Sequence, residues 1–374
     1  MRRYYFDYAA TTPLLPEVKE KMQSIMDNIY GNPSSIHFHG RTAKAEVEEA
    51  RKICANLLHA SLGEIFFTSG ATESNHMVLT KCIQDLGVGK IISAPTEHHC
   101  ITHTLDSLSD KVDIDYLNVD AQGNIDPSEL LSILKNSEQK CLVTLMHGNN
   151  EIGTMHDLPT IGNICKENNA YFNVDAAQTY GKVPIHLDAL NIDFLAVSAH
   201  KIYGPKGIGL IYINSNNKIS PLFTGGAQER NMRAGTENLI SIAGFAKATE
   251  LADKEMQIRD SKIRELRTYL LEKLEPAIPE IQLNGNRDLN YLPNILSLRL
   301  PETKKTGMLV FNLDIAGISA SAGSACSSGV EQASHVLEAI AKDVPGQSLR
   351  VSLSHLHTIE DIDFLVDILI GLCQ

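Results

Sequence analysis

Asp193-Phe-Leu-Ala-Val-Ser-Ala-His-Lys201-Ile-Tyr-Gly-Pro-Lys-Gly207-Ile-Gly-Leu-Ile-Tyr-Ile213 is the stretch that decides the fold. Two apolar runs, 193–198 and 207–213, flank a turn built on glycine and proline, and a lysine stands where the first run ends. In open α/β sheets ligands bind beyond the carboxyl ends of the strands, which is where Lys201 falls. A lysine at the mouth of an apolar strand can hold a carbonyl compound as a Schiff base, and burial there would lower its pKa and favour that bond.

Outward from this stretch, further strands are expected at 64–68, 90–94, 141–146 and 170–174, with helical stretches between most of them. From Gly40 onward Ala43, Val47, Ala50, Ile53 and Leu57 recur at spacings of four and three, the stripe of a helix lying on a core. These segments make one α/β domain. After Glu237 a long helical pattern runs from Asn238 to about Leu274 with no strong breaker before Pro276 and leads into a second, smaller domain. Beyond it come apolar segments at 281–283 and 295–300, a helix near 309–315, a strand near 349–353 and a closing helix framed by Thr358 and Asp361 as a capping box. No internal repeat or low-complexity segment interrupts the chain.

Composition sets outer limits. With 374 residues, 43% hydrophobic and 21% charged, the chain has ample length for a full core. A net charge of -12 argues against nucleic acid or an anionic membrane as the main partner. The N-terminus lacks the apolar core of a signal peptide and no run approaches a membrane span, so a cytoplasmic protein is expected. Seven cysteines at 54, 82, 100, 141, 165, 326 and 373 show no C-x-x-C spacing, which indicates reduced thiols and neither a disulfide framework nor a zinc ribbon.

Several short segments carry chemistry. In Phe66-Phe-Thr-Ser-Gly-Ala71-Thr72-Glu-Ser-Asn75 a strand meets a Gly-Ala-Thr turn and a helix start, where backbone N–H groups can cradle a phosphate. Taken alone it reads more readily as an N-capped helix. Asp175 ends the run Tyr171-Phe-Asn-Val174 and could pair with a pyridinium nitrogen, with Gln178 beside the ring's phenolic oxygen; alone, it also reads as a helix cap. Ser198 and His200 could add phosphate contacts. His98, His99 and His103 admit a metal reading, but no acidic or thiolate partner sits at matching spacing, and no metal is expected. Cys326 lies in Ser321-Ala-Gly-Ser-Ala-Cys-Ser-Ser-Gly329, small residues that suit a thiol moving between an inner site and an outer acceptor.

Together with Gly31-Asn-Pro-Ser-Ser35, Thr96-Glu-His98, Asn149-Asn-Glu-Ile-Gly153, Arg230-Asn-Met-Arg233-Ala-Gly-Thr236 and Gly323-Ser-Ala-Cys326, these motifs resemble the cysteine desulfurases of the NifS/IscS type, from Tyr8 to about Asp367. The resemblance implies a fold-type I pyridoxal-phosphate enzyme. Its large domain, residues 16–255, would hold a mainly parallel seven-stranded sheet covered by helices, and a smaller α+β domain would be formed by 1–15 and 256–374. It implies that Lys201 carries the cofactor as a Schiff base and later moves the substrate's Cα proton. Ala71, Thr72, Ser198 and His200 would bind the phosphate, and Asp175 and Gln178 the ring. His98 would stack on the ring and shuttle protons, Asn150 would lie near the ring and substrate carboxylate, and Arg350 would pair with that carboxylate. Thr236 would reach the phosphate of a neighbouring subunit, which implies a homodimer. The implied activity turns L-cysteine into L-alanine and leaves the sulfur on Cys326 as a persulfide, for a sulfur-acceptor protein or an iron–sulfur scaffold.

Two departures and two alternatives stand beside this. The chain stops at Gly371-Leu-Cys-Gln374, where relatives that feed scaffolds often continue, and Ser354-His-Leu-His357 replaces a stretch that usually contains glycine. Selenocysteine lyase activity, or a sulfur-relay subunit with low turnover, would use much of the same framework.

Overall fold

The structure, a computed structural model, describes residues 3–322, 334–341 and 344–374. Its centre is a seven-stranded sheet in the order β2-β8-β7-β6-β5-β3-β4. The strands are β2 Ile65–Thr68, β3 Lys90–Ser93, β4 Asp113–Tyr116, β5 Cys141–Met146, β6 Tyr171–Asp175, β7 Phe194–Ser198 and β8 Gly209–Ile213. Only β8 runs against its neighbours; the other pairs are parallel.

Successive residues of a strand point to opposite faces, and here both faces are covered. Val143, Leu145, Phe172, Val174, Leu195 and Val197 enter one core, while Leu142, Phe194, Ile211 and Ile91 enter the other. The first core also takes residues from helices α1 Pro16–Asn28, α2 Phe38–Leu58, α6 Leu158–Glu167 and the start of α7 Leu239–Ala277. The second is closed by α3 Ala71–Leu86 and α4 His99–Leu108; α5 Pro127–Asn136 packs beside α6. Of the expected stripe Ala43, Val47 and Ala50 are buried on α2, while Ile53 and Leu57 are half-buried and Cys54 and Leu58 take the core beside them.

β4 was not expected from the sequence. Its Asp-Ile-Asp-Tyr is short, half-exposed and polar at alternate positions, as suits an edge strand. The long helix continues past Leu274 to Ala277 and carries Pro276 in its last turn. There the helix is ending in any case, and few bonds remain for a proline to break.

A second body is assembled from both chain ends. The three-stranded antiparallel sheet β12-β10-β9 (Gln347–Ser352, Ile295–Leu300, Gln282–Asn284) packs with α8 Leu309–Ile315, α10 Ile359–Cys373 and the far half of α7. Phe6 joins this core, β1 Tyr4–Tyr5 pairs in parallel with β11 Ile318–Ser319, and Asp7 bridges to Ser352. Helix α9 His335–Ala341 packs through Val336 and Ile340 against Ile152. Thr358 and Asp361 form the expected capping box of α10.

Candidate active site

The carboxyl edge of the large sheet gathers most of the expected residues. Parallel β6 and β7 lie side by side with Asp175 opposite Ala196, so the last residue of β6 and the turn carrying Lys201 share one edge. β8 brings a third element, because Gly209 pairs with Ser198 on one side and Thr68 on the other. A side chain at Gly209 would meet Val197 O at 2.1 Å and Gly70 Cα at 2.7 Å. Glycine there lets the Gly70 turn close onto Ser198, whose Oγ accepts from Ala71 N at 2.8 Å.

That contact revises the reading of Ala71 and Thr72. The helix start carries no side-chain cap of its own: Gly70 holds the cap position at φ 152°, reachable by glycine and strained for other residues. Thr72 is exposed at the first turn. An uncapped helix start with a borrowed hydroxyl suits an anion better than the N-capped reading does.

Asp175 is buried and held from two sides: Oδ1 accepts from Ala177 N at 2.9 Å and Oδ2 from Asn75 Nδ2 at 2.8 Å. Asn75 in turn accepts from Asn173 Nδ2 at 3.2 Å, which also donates to Thr144 Oγ1 at 3.0 Å, so a buried polar chain backs the carboxylate. Asn75 carried no expected role. Its signal was its place four residues after Ala71, on the same helix face.

Lys201 Nζ donates to Ala9 O at 2.6 Å and Ala10 O at 2.9 Å, and Gln178 Nε2 donates to the same Ala9 O at 2.9 Å. His200 Nδ1 lies 3.1 Å from Thr11 Oγ1, and burial first, then the neighbouring lysines, pushes its pKa down to about 4. His98 caps the start of α4, its Nδ1 accepting from Cys100 N at 3.1 Å. Burial lowers its pKa against the pull of the Asp175 charge, with Lys201 acting in the same direction as burial. The adjoining Glu97 is fully buried and its carboxyl is pushed well above the usual range by desolvation; Oε1 accepts from Met146 N at 2.7 Å and Oε2 has no partner among the described residues.

Arg350, on β12, is buried; it donates to Asn150 O at 3.0 Å and to Asp7 Oδ1 at 2.8 Å, while its Nε is buried without a partner among the described residues. Thr236 is exposed and lines a different cavity from Lys201, with Ser69, Gly207 and Arg233. Its loop is anchored by Glu229, which meets Arg51 in two hydrogen bonds of 2.8 and 2.9 Å. His99 stacks on His103 at 4.7 Å, and no metal-binding cluster occurs among the described residues. Cys326 lies outside the described residues. On the near side, Ser321 exchanges backbone hydrogen bonds with Arg350; on the far side, Ser334 Oγ donates to Glu151 and His335 Nε2 lies 2.8 Å from Glu97 O.

The Ser354–His357 departure builds a closed turn. Ser354 Oγ lies 2.7 Å from Tyr203 Oη, Ser354 N donates to His357 Nδ1 at 3.1 Å, and His357 Nε2 lies 2.9 Å from Tyr5 O while the ring stacks on Phe6 at 4.4 Å. That network fixes a neutral His357 with its proton on Nε2.

The sequence matches the family Aminotransferase class-V over residues 4–365. The chain belongs to that family. Cysteine desulfurase IscS of Dictyoglomus turgidum is 43% identical over 98% of this chain and 94% of its own length, and that of Methanosarcina thermophila is 41% identical over 99% and 92%. A solved NifS-like protein superposes with a TM-score of 0.90 at 34% identity, covering 99% of this chain and 98% of its own. This class-V family is pyridoxal-phosphate dependent, and the edge fits that cofactor: an uncapped helix start for a phosphate, a buried carboxylate for a ring nitrogen and a lysine between them.

Proposed function

We propose that this chain is a homodimeric, cytoplasmic cysteine desulfurase that releases L-alanine from L-cysteine and carries the sulfur away on Cys326. The observation that carries the reading is the convergence of Lys201, Asp175 and the uncapped start of α3 on one sheet edge, with the described flanks of the 323–333 stretch tied to Arg350 of the small sheet on one side and to Glu97 on the other. When bound, pyridoxal phosphate supplies an aldehyde for Lys201 and a sink for the charge left at the substrate's Cα.

The residues divide the remaining work. Ala71, Thr72, Ser198 and His200 hold the phosphate, Asp175 keeps the ring nitrogen protonated, and Gln178 meets the phenolic oxygen. Thr236 of one subunit completes the phosphate site of the other. Arg350 and Asn150 orient the substrate carboxylate, for which the unpartnered Arg350 Nε is a ready donor. Lys201 Nζ takes the Cα proton, with the Ala9 and Ala10 carbonyls as its resting partners. His98, kept neutral by burial, passes protons beside the ring. The Cys326 thiolate forms an S–S bond to the substrate sulfur as the Cβ–S bond breaks. The electron pair stays with the three-carbon fragment, which gains a proton at Cβ, regains at Cα the one Lys201 took, and leaves as L-alanine, while Cys326 becomes a persulfide for a thiol or protein acceptor.

We place the large domain at 16–255 and the small one at 1–15 and 256–374; the two cores joined by α7 support this for Phe6 and the C-terminal part, while Tyr8 and Leu15 pack in the large core. The test incubates wild type, Cys326→Ala and Lys201→Ala with L-cysteine and a thiol and measures alanine and sulfide. Both variants are expected to lose at least ~100-fold in turnover. Alanine formation that survives Cys326→Ala would remove the persulfide role, and a borohydride-fixed cofactor adduct in Lys201→Ala would remove the anchor.

A further inference from the structure

Lys182 lies four residues after Gln178, in a cavity shared with Lys201, Tyr8, Tyr203, Arg259 and His355. Its Nζ donates to Gln178 Oε1 at 3.3 Å, and among the described residues no carboxylate forms an ion pair with it. Burial draws its pKa down from the usual lysine value to about 7, and the Lys201 charge adds to that. A lysine so placed is costly to keep unless it does something there.

What it does follows from the donor inventory. An ammonium has three donors and no acceptor, so the amide atom it touches is the oxygen, and the NH2 end must face the other way. That end donates to Ala9 O at 2.9 Å, the carbonyl that also accepts Lys201 Nζ. A glutamine amide free to turn over would present its oxygen to the cofactor as readily as its nitrogen, and an oxygen would repel the ring's electron-rich phenolic oxygen.

We propose that Lys182 is a positioning residue whose hydrogen bond to Gln178 Oε1 keeps the donor end of that amide turned toward the cofactor's phenolic oxygen. This rests on the proposed role of Gln178. Methionine at 182 would keep the apolar stem and lose the bond, whereas arginine would keep charge and donors.

The test titrates apoprotein with pyridoxal phosphate, reading Kd from tyrosine fluorescence, as the chain has no tryptophan, and the visible absorption maximum of the bound form. Lys182→Met is expected to raise Kd about tenfold and move the maximum, the loss of one oriented hydrogen bond. Lys182→Arg stays within about threefold of wild type. In a Gln178→Ala background Lys182→Met changes Kd by less than about twofold, because the residue acts through Gln178. An unchanged Kd in Lys182→Met, or the same tenfold loss in the Gln178→Ala background, overturns the proposal. A Gln178→Ala protein with wild-type Kd and spectrum overturns the Gln178 role and this proposal with it, and a wild type that does not bind the cofactor overturns the functional reading itself. Circular dichroism melts of each apoprotein check folding, and Lys182→Gln replaces Lys182→Met if that variant does not fold.

Discussion

His147 sits directly behind Asp175, its backbone N–H donating to the Asp175 carbonyl at 2.9 Å, and burial lowers its side-chain pKa to about 4. Between pH 6.5 and 4 the unfolded chain takes up a proton that the folded chain refuses, so stability falls as pH falls through that window and is unaffected above it. The loss approaches roughly 3 kcal/mol at the acid end. Denaturant melts from pH 7 to 4 are expected to show it, and His147→Gln should make the slope shallower, the remainder coming from His156, His200 and His355, which burial also pushes down to about 4. Legibility at this scale follows chemistry. Lys201 and Asp175 drew attention by standing at the ends of apolar runs, though Asp175 alone also read as a helix cap, and Arg350 came only from the family resemblance. The Ala9 and Ala10 carbonyls that hold Lys201 were not legible, since every residue has a carbonyl and only the fold aims one. Asn75 and Lys182 act through other residues, and sequence shows no trace of such second-hand contact.

At the scale of elements the hinge of the site is Gly209, where β8 passes between the Gly70 turn and Ser198. Gly209→Ala is expected to force those neighbours apart, costing about 1–3 kcal/mol of stability and weakening cofactor binding more than the melting shift alone explains. Thermal melts and a pyridoxal phosphate titration measured together check both. The strands beside it were legible as unbroken apolar runs, because a strand buried on two faces has no polar alternation to confuse it. β4 escaped for the opposite reason: at the sheet edge, Asp113 and Asp115 leave too weak an apolar signal. The closing helix was legible to its first turn because a capping box announces itself in the residues that build it.

For the whole molecule, the proposed sharing of Thr236 between subunits has a clean consequence. Lys201→Ala and Thr236→Ala homodimers should each be impaired, yet mixing and refolding them together should restore activity. Each hybrid dimer contains one site with a native lysine from one chain and a native threonine from the other. Activity no higher than the mean of the two parents would mean that Thr236 serves its own subunit. The double core was half legible: the long helix leading into a second body could be read from its periodicity, while the return of Tyr4 and Phe6 to that body was expected only from family resemblance, which had assigned it all of 1–15. That return also sets a schedule. Tyr4 must wait for Ile318, made about 300 residues later, which takes roughly 15–60 s at ordinary rates of synthesis. Until then Ala9 N–H lacks the Ser352 hydroxyl that accepts it at 3.0 Å, so on the ribosome the turn beside the lysine is held from the large body alone, through Thr12, His200 and Tyr203.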